Sequence, residues 1–233
     1  MVKDWEDYWR TISQRGFSAN ILWDCLPEHA ASEDLLRFKD HMDPNIPLLD
    51  LGCGNGRQTR FLARHFNRVI GADISPSAIQ LAKEETADAT NIDYKVFDAL
   101  NIEEARKFHM EFGDVNVYMR GLFHMIKMSH RAKFICSIET LLGQKGVLYQ
   151  IELGPDAFFY MRLLPESILS SIPRIGWAVG FDLNERAFYY PDDRWTVIDE
   201  GQNVTIRILP LPEGKYGEVP ANFLILKWNN LNS

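Results

Sequence analysis

A glycine-rich loop between a buried strand and a helix is the feature that most constrains the fold of this chain. The run 48–51 is apolar apart from Asp50, and Gly52, Gly54 and Gly56 follow at alternate positions. Glycine lets the backbone turn tightly and approach a ligand closely. The start of the following helix offers N–H groups that have no partner inside the helix. This order predicts a ligand-binding loop at the edge of a parallel α/β sheet.

Strand-like and helix-like segments alternate from about residue 46, as in a parallel sheet that helices cover on both faces. The predicted strands are 46–51, 68–73, 92–97, 114–119, 146–153, 204–209 and 222–228. The predicted helices are 57–66, one from Pro76 with Ser75 as N-cap, 101–111, one that Ser129 caps and Gly143 ends, and about 156–171. A loop at 210–220, rich in Pro and Gly, makes the last two strands an antiparallel pair. The fold class is therefore α/β, with a doubly wound, seven-stranded, mostly parallel sheet and a terminal antiparallel pair.

The length of 233 residues fits one large domain. Within it we distinguish an N-terminal helical arm (1–45), a core (46–153), an insertion (154–202) and the terminal strand pair (203–229).

The composition disfavours nucleic acid as a partner, because the net charge is −7 and the Lys and Arg residues are scattered rather than clustered. No apolar run approaches the roughly 20 residues that cross a bilayer, and the acidic, aromatic N-terminus is unlike a signal peptide. The three cysteines have no paired spacing, which favours free thiols and a cytoplasmic location. The oligomeric state stays open.

The spacing of the glycines separates this loop from a dinucleotide-binding one. A dinucleotide fingerprint reads G-x-G-x-x-G, whereas here the third glycine comes one residue earlier. An acid, Asp50, stands two residues before the first glycine. A carboxylate there is awkward beside a pyrophosphate but suits a cationic ligand such as S-adenosylmethionine (SAM), which carries a sulfonium and an ammonium.

With these motifs the sequence resembles the class I SAM-dependent methyltransferases, which have a Rossmann-like fold. The resemblance covers about residues 46–153 well. Its motifs are the acid and glycines after the first strand, Asp73 after the second and Asp98 after the third. It implies that Asp73 accepts both ribose hydroxyls, that Ile74 contacts the adenine, and that Asp98 contacts the adenine amino group. The residues it assigns to SAM, with S-adenosylhomocysteine as product, are Asp50, Gly52, Cys53, Gly54, Gly56, Asp73, Ile74, Asp98, Ala99 and Arg120. No metal is expected.

The loop after the fourth strand lies beside the methyl group in such enzymes. It lacks an N-P-P-Y run and a cysteine, which counts against two classes that modify nucleic acids or glutamine. His124 is a candidate general base, or a histidine at a helix cap or core edge. Arg120 either binds an acceptor carboxylate or pairs with Asp98 or Glu152. Glu152 faces the same cleft, or pairs with Arg120 or Lys127.

Two aromatic segments flank this core. Trp5, Tyr8 and Trp9 fall on one face of a short helix, with Phe17 and Trp23 following, so the arm either packs on the domain or closes over SAM as a lid. The aromatic residues of the insertion either form the wall of an acceptor pocket or a separate hydrophobic cluster. These residues, with one methionine, are Phe158, Phe159, Tyr160, Met161, Tyr189, Tyr190 and Trp195.

The sequence thus predicts a SAM-dependent methyltransferase that acts on an O, S or N nucleophile of a small molecule, with His124 and Arg120 as the candidate catalytic residues. The alternatives are a protein or RNA methyltransferase and a catalytically silent SAM-binding regulatory protein. An NAD-dependent oxidoreductase is disfavoured by the glycine spacing and by Asp50.

Overall fold

The computed structural model describes residues 2–12, 21, 23–86, 89–163, 166, 180–210 and 216–229. Its strands are β1 (Leu48–Leu51), β2 (Val69–Asp73), β3 (Ile92–Val96), β4 (Asn116–Arg120), β5 (Val147–Leu153), β6 (Trp195–Pro210) and β7 (Tyr216–Trp228). The helices are α1 (Val2–Thr11), α2 (Ala31–Phe38), α3 (Arg57–Leu62), α4 (Pro76–Glu84), α5 (Ile102–Phe112), α6 (Met128–Leu142), α7 (Ala157–Met161) and α8 (Arg186–Tyr189). Short 3-10 helices span Pro27–His29, Phe123–Met125 and Leu183–Glu185.

The seven strands form one sheet in the order β3-β2-β1-β4-β5-β7-β6, which confirms the predicted fold class. The pairs from β3 to β5 are parallel, and β7 runs antiparallel to both β5 and β6. Because β1 lies between β2 and β4, the strand order reverses there. In open α/β sheets, ligands bind outside the carboxyl ends of the strands at such a reversal.

Two apolar layers hold the helices on the sheet. On one face, α5 and α6 bury Phe108, Phe134 and Ile138 against the strands. On the other face, α2 and α3 bury Phe38 and Leu62. Both layers leave the carboxyl ends of β1 and β4 to the loops, and these loops form the candidate site.

The start of α4 and the end of α6 follow the predicted signals. The hydroxyl of Ser75 accepts a hydrogen bond from the N–H of Ala78 at 3.1 Å, and Pro76 is the first residue of α4. Gly143 ends α6 with a φ of +57°, a conformation that glycine adopts without a Cβ penalty. The prediction for Ser129 is wrong: α6 begins at Met128, so Ser129 lies inside its first turn.

The end of the chain departs further from the prediction. Strand β6 begins at Trp195 rather than at Val204, because an edge strand tolerates the charged and bulged positions that hid it in the sequence. Tyr189, Tyr190 and Trp195 belong to the main core, so they do not form a separate hydrophobic cluster, and their role as a pocket wall stays a prediction. Phe17, the side chains of Phe158 and Met161, most of the predicted helix beyond residue 163 and loop residues 211–215 lie outside the described residues.

Candidate cofactor and acceptor site

The loops after β1 and β4 meet at the carboxyl edge of the sheet. A Cβ at Gly52 would lie 3.3 Å from the side chain of Leu122, so the glycine allows the two loops to touch. All three glycines of the first loop have positive φ, at 81°, 53° and 72°. The loop is therefore the tight turn that the glycine spacing predicts.

The last glycine of this loop, Gly56, makes room for Tyr94 of β3. A Cβ at this position would collide with the tyrosine hydroxyl and ring. The hydroxyl in turn lies 3.0 Å from that of Thr86, which fixes the ring beneath the loop. Gly56 therefore supports the loop from below.

Replacing Gly56 by alanine should destabilise the protein strongly. Positive φ costs an L residue about 1–2 kcal/mol, and displacing a buried ring adds about 1–3 kcal/mol. At roughly 2–4 °C per kcal/mol for a chain of this size, we expect a fall in melting temperature of about 5–15 °C. Gly113→Ala is the matched control, because Gly113 has a φ of +73° and nothing within 4 Å of its Cβ position. Equal losses in the two variants would contradict the role of Tyr94.

Asp73 ends β2 beside this loop. Its carboxylate accepts hydrogen bonds from the N–H of Gly54 at 3.0 Å and from the N–H of Ser75 at 2.9 Å. Burial raises the pKa of Asp73 to about 6, although these N–H groups favour its ionised form. A carboxylate has about four acceptor positions, so these bonds leave Asp73 some capacity for the ribose that the resemblance assigns to it.

Asp50 and Cys53 point into the protein. The Asp50 carboxylate accepts a hydrogen bond from Thr59 at 2.5 Å, and burial raises its pKa to about 7. The Cys53 side chain lies among apolar residues, including Ile79 and Tyr94, and burial raises the pKa of its thiol. Asp50 can therefore act on a cation only from beneath the loop, and Cys53 only through its backbone.

Asp98, Ala99 and Ile74 are each partly exposed at this edge. The Asp98 carboxylate accepts a hydrogen bond from the N–H of Leu100 at 2.9 Å, which shapes the turn before α5. Its second oxygen has no hydrogen bond within the described part of the chain. Ile74 directly follows Asp73 in the chain. These positions suit an adenine between Ile74 and Asp98, but the contacts themselves stay a prediction.

The arm covers the glycine loop and the start of α4. The carboxylate of Glu6 accepts hydrogen bonds from the hydroxyls of Ser75 (2.6 Å) and Ser77 (2.7 Å) and from the N–H of Ser77. Trp9 is buried, and its ring would lie 2.8 Å from a Cβ at Gly54. The aromatic face predicted for α1 thus packs directly on residues that the sequence assigns to SAM.

A second contact ties the segment after α1 to the same loop. The buried Asp24 accepts a hydrogen bond from the amide of Asn55 at 2.9 Å and forms an ion pair of 2.5 Å with Arg57. Trp23 packs on the aromatic cluster of Trp5, Tyr8 and Trp9. The arm is therefore held at two places on the glycine loop.

His124 and Glu152 form a pair on the acceptor side. The Nδ1 atom of His124 lies 2.6 Å from the Oε2 atom of Glu152, and both side chains are almost fully buried. The sequence analysis offered Arg120 and Lys127 as partners of Glu152. Neither pairs with it, because His124 and the loop N–H groups occupy its oxygens. No described residue forms a hydrogen bond with the Nε2 atom of His124.

Arg120 has a partner that the sequence analysis missed. Its guanidinium forms an ion pair with Asp34 of α2 at 2.7 Å, and not with Asp98 or Glu152. The hydroxyls of Tyr118 and Tyr149 donate to the same carboxylate at 2.8 and 2.9 Å. Ala31, Leu35 and Phe38 are spaced as one apolar helix face, and Asp34 lies on that face. An acid at that position signals a buried partner.

No group of three or more His, Cys, Asp or Glu residues within the described ranges could hold a metal ion. No helix among the same residues is long and apolar enough to cross a membrane. The three cysteines are free thiols.

Comparison with known proteins gives three kinds of similarity. A family model described as a methyltransferase domain matches residues 48–146. The ubiquinone biosynthesis O-methyltransferase of Brucella anthropi is 37% identical over 144 residues, which are 54% of this chain and 56% of that protein. The enzyme of the same description from Pelagibacter ubique is 29% identical over 151 residues, or 64% of this chain and 60% of that protein. The chain thus spans less than two thirds of the length of these relatives.

A solved structure covers more of the chain. The crystal structure of a SAM-dependent methyltransferase from Anabaena variabilis is similar with a TM-score of 0.86 at 34% identity. The match covers 98% of this chain and 95% of that protein, so it includes both the arm and the terminal strand pair.

Proposed function

Because the chain belongs to the class I SAM-dependent methyltransferases, we propose that it methylates a hydroxyl group of a small molecule, with His124 as the general base. The observation that carries this proposal is the buried pair of His124 and Glu152 at the carboxyl edge of β4 and β5. A ring held through Nδ1 presents Nε2 to a proton donor. The relatives from Brucella anthropi and Pelagibacter ubique are O-methyltransferases by name, which supports a hydroxyl acceptor.

The residues at the carboxyl edge fit SAM. Acids at the ends of β1, β2 and β3 suit a cation with two ribose hydroxyls, and the glycine loop brings backbone close to it. When bound, SAM supplies an electrophilic methyl group on its sulfonium. Asp73 would hold the ribose, Ile74 and Ala99 would contact the adenine, and the loop from Gly52 to Gly56 would surround the remainder.

Arg120 would help to place the acceptor or the carboxylate of SAM. Asp34 fixes one nitrogen of its guanidinium, and the side chain is 13% exposed at the end of β4. An arginine that is already oriented loses less freedom when it binds a carboxylate.

The arm would act as a lid over bound SAM. Glu6 and Trp9 contact the start of α4 and the glycine loop, where the ribose would lie. Methyl transfer from a sulfonium competes with water, and a closed lid excludes water from the cleft. We place this activity in the cytoplasm, because the cysteines are free thiols.

Glu6→Ala tests the lid. The variant loses the hydrogen bonds from Ser75 and Ser77. If these bonds hold the arm closed with about 1.4 kcal/mol, SAM should dissociate about ten times faster. Stopped-flow tryptophan fluorescence measures this rate, and Glu103→Ala on the exposed side of α5 is the control. An unchanged dissociation rate would mean that the arm only packs on the domain.

Calorimetric titration followed by a labelled-methyl assay tests the function. SAM and S-adenosylhomocysteine should bind with micromolar affinity, and NAD should not bind. Labelled methyl should then pass to hydroxylated aromatic compounds, and not to thiols, amines, RNA or protein. Label on RNA or protein would overturn the small-molecule proposal. Binding without transfer to any acceptor would favour a silent regulatory protein.

A further inference from the structure

Glu152 is fully buried at the candidate site, and the proposed function uses it only as the partner that holds the ring of His124. It lies one residue before the end of β5, directly opposite Asn222 of β7. A buried carboxylate is costly unless hydrogen bonds satisfy it. Its contacts therefore indicate what holds it there.

Both carboxylate oxygens of Glu152 are occupied by the loop after β4. Oε1 accepts hydrogen bonds from the N–H groups of Leu122 (3.1 Å) and Phe123 (2.7 Å). Oε2 accepts from the N–H of His124 at 3.2 Å and contacts its Nδ1 at 2.6 Å. Glu152 therefore shapes the acceptor loop and orients the ring that the loop carries.

The contact with Nδ1 also fixes where the ring carries its proton. An ionised carboxylate only accepts hydrogen bonds, so Nδ1 must carry hydrogen. The neutral ring then has its lone pair on Nε2, the atom that forms no hydrogen bond with a described residue. A histidine with the opposite tautomer would present N–H there and could not accept a proton.

We propose that Glu152 is a positioning residue of the methyl transfer, which fixes the tautomer of His124 so that Nε2 can accept the proton of a hydroxyl acceptor. This inference rests on the proposed function. In the step, the hydroxyl oxygen bonds to the methyl carbon as the S–C bond breaks and its electron pair stays on sulfur. The O–H bond also breaks, and its proton passes to Nε2. The products are the methyl ether and S-adenosylhomocysteine.

The carboxylate further stabilises the charged ring that the step leaves behind. At 2.6 Å from Nδ1, it forms a charge-assisted hydrogen bond once the imidazolium forms. Arg120 does not compete for it, since Asp34 holds that guanidinium. Tyr190, which directly follows α8, donates its hydroxyl hydrogen to Gln150 at 2.6 Å.

Glu152→Gln is the sharpest test, because it nearly preserves shape, reverses the hydrogen bond to Nδ1 and otherwise loses only the longer bond of 3.2 Å from the N–H of His124. The glutamine oxygen can keep the bonds from Leu122 and Phe123, which places its NH2 group opposite Nδ1. The ring should then move its proton to Nε2 and accept at Nδ1. Nitrogen-15 NMR of the His124 ring at pH 8, in the protein with SAM bound, should show hydrogen on Nδ1 in the wild type and on Nε2 in the variant.

Kinetics should agree with the tautomer. With a phenol that is protonated at the assay pH, we expect kcat to fall on the order of 100-fold. With a phenol acidic enough to be ionised already, the loss should be much smaller. Glu152→Asp should keep hydrogen on Nδ1 and recover part of the activity. Glu139→Gln is the control, because Glu139 lies on α6 and pairs with Arg194.

Two results would overturn the inference. One is a Glu152→Gln variant that keeps hydrogen on Nδ1. The other is an equal loss with both phenols, which would mean that Glu152 only shapes the loop. If Gln does not fold, Glu152→Asp decides by the same NMR measurement, since a ring with hydrogen on Nε2 there would contradict the assignment. If Glu152→Gln changes the tautomer but His124→Ala keeps full activity, the proposed function fails at its general base. The finding that Glu152 sets the tautomer of His124 would then still hold.

Discussion

His124→Ala should lower kcat for a hydroxyl acceptor by about 100- to 10,000-fold, the range over which a positioned base acts. SAM affinity should stay unchanged, because the ring lies on the acceptor side, bonded to Glu152, and not on the glycine loop. The stability loss should be modest, since the backbone N–H of residue 124 can still donate to Glu152. Steady-state kinetics with a saturating acceptor, together with calorimetry, separates these effects.

The pH profile distinguishes a base from a merely packed histidine. An imidazole accepts a proton only when neutral. A wild-type rate that depends on a neutral ring should fall in acid, and the variant should lose most of that fall. His65→Ala, an exposed histidine beyond α3, is the control for the substitution itself. Parallel profiles in wild type and His124→Ala would leave His124 with a structural role only.

Asp73→Asn should weaken SAM binding on the order of 100-fold, because hydrogen bonds to a charged group contribute about 1.5–3 kcal/mol each. The amide offers one oxygen where the carboxylate offers two, and Gly54 and Ser75 already donate to this side chain. Calorimetric titration measures the change. Asp93→Asn, on the exposed side of β3 and paired with Arg68, is the matched control. An unaltered affinity would reject the ribose assignment.

The pH dependence of SAM binding also tests the role of Asp73. In the free protein, burial raises the pKa of Asp73 to about 6, and the ribose hydroxyls favour its ionised form. The affinity for SAM should therefore be highest above this pKa and should fall as the pH decreases through about 6. Asp50, with a pKa of about 7, faces the loop from beneath and would contribute any dependence that remains in Asp73→Asn.

The fold could be predicted from the sequence wherever a short apolar run meets a turn signal. Strands β1 to β5 begin and end within about two residues of the predictions, because buried parallel strands are mostly apolar and β3 at the sheet edge still alternates apolar and polar residues. Strand β6 was harder, since its first half carries Asp199 and Glu200 on the edge of the sheet. The periodicity of a buried strand does not apply there.

The residues of the candidate site also fall into those that the local sequence predicts and those that depend on long-range contacts. The glycine loop and Asp73 follow from local order along the chain. The arm contacts do not: Glu6 reaches Ser75 across 69 residues and Asp34 reaches Arg120 across 86, and no spacing rule connects such positions. The His124–Glu152 pair, 28 residues apart, required the register of β4 on β5.

The hub around Asp34 also constrains the order in which the chain can assemble. Its carboxylate binds Tyr118, Arg120 and Tyr149, which lie 84, 86 and 115 residues later. Contacts at such separation form only after the intervening loop has closed. On a ribosome, helix α2 emerges long before these partners and must wait for β5. Helix α2, although it is translated early, therefore gains its contacts through Asp34 only after strands β4 and β5 have formed.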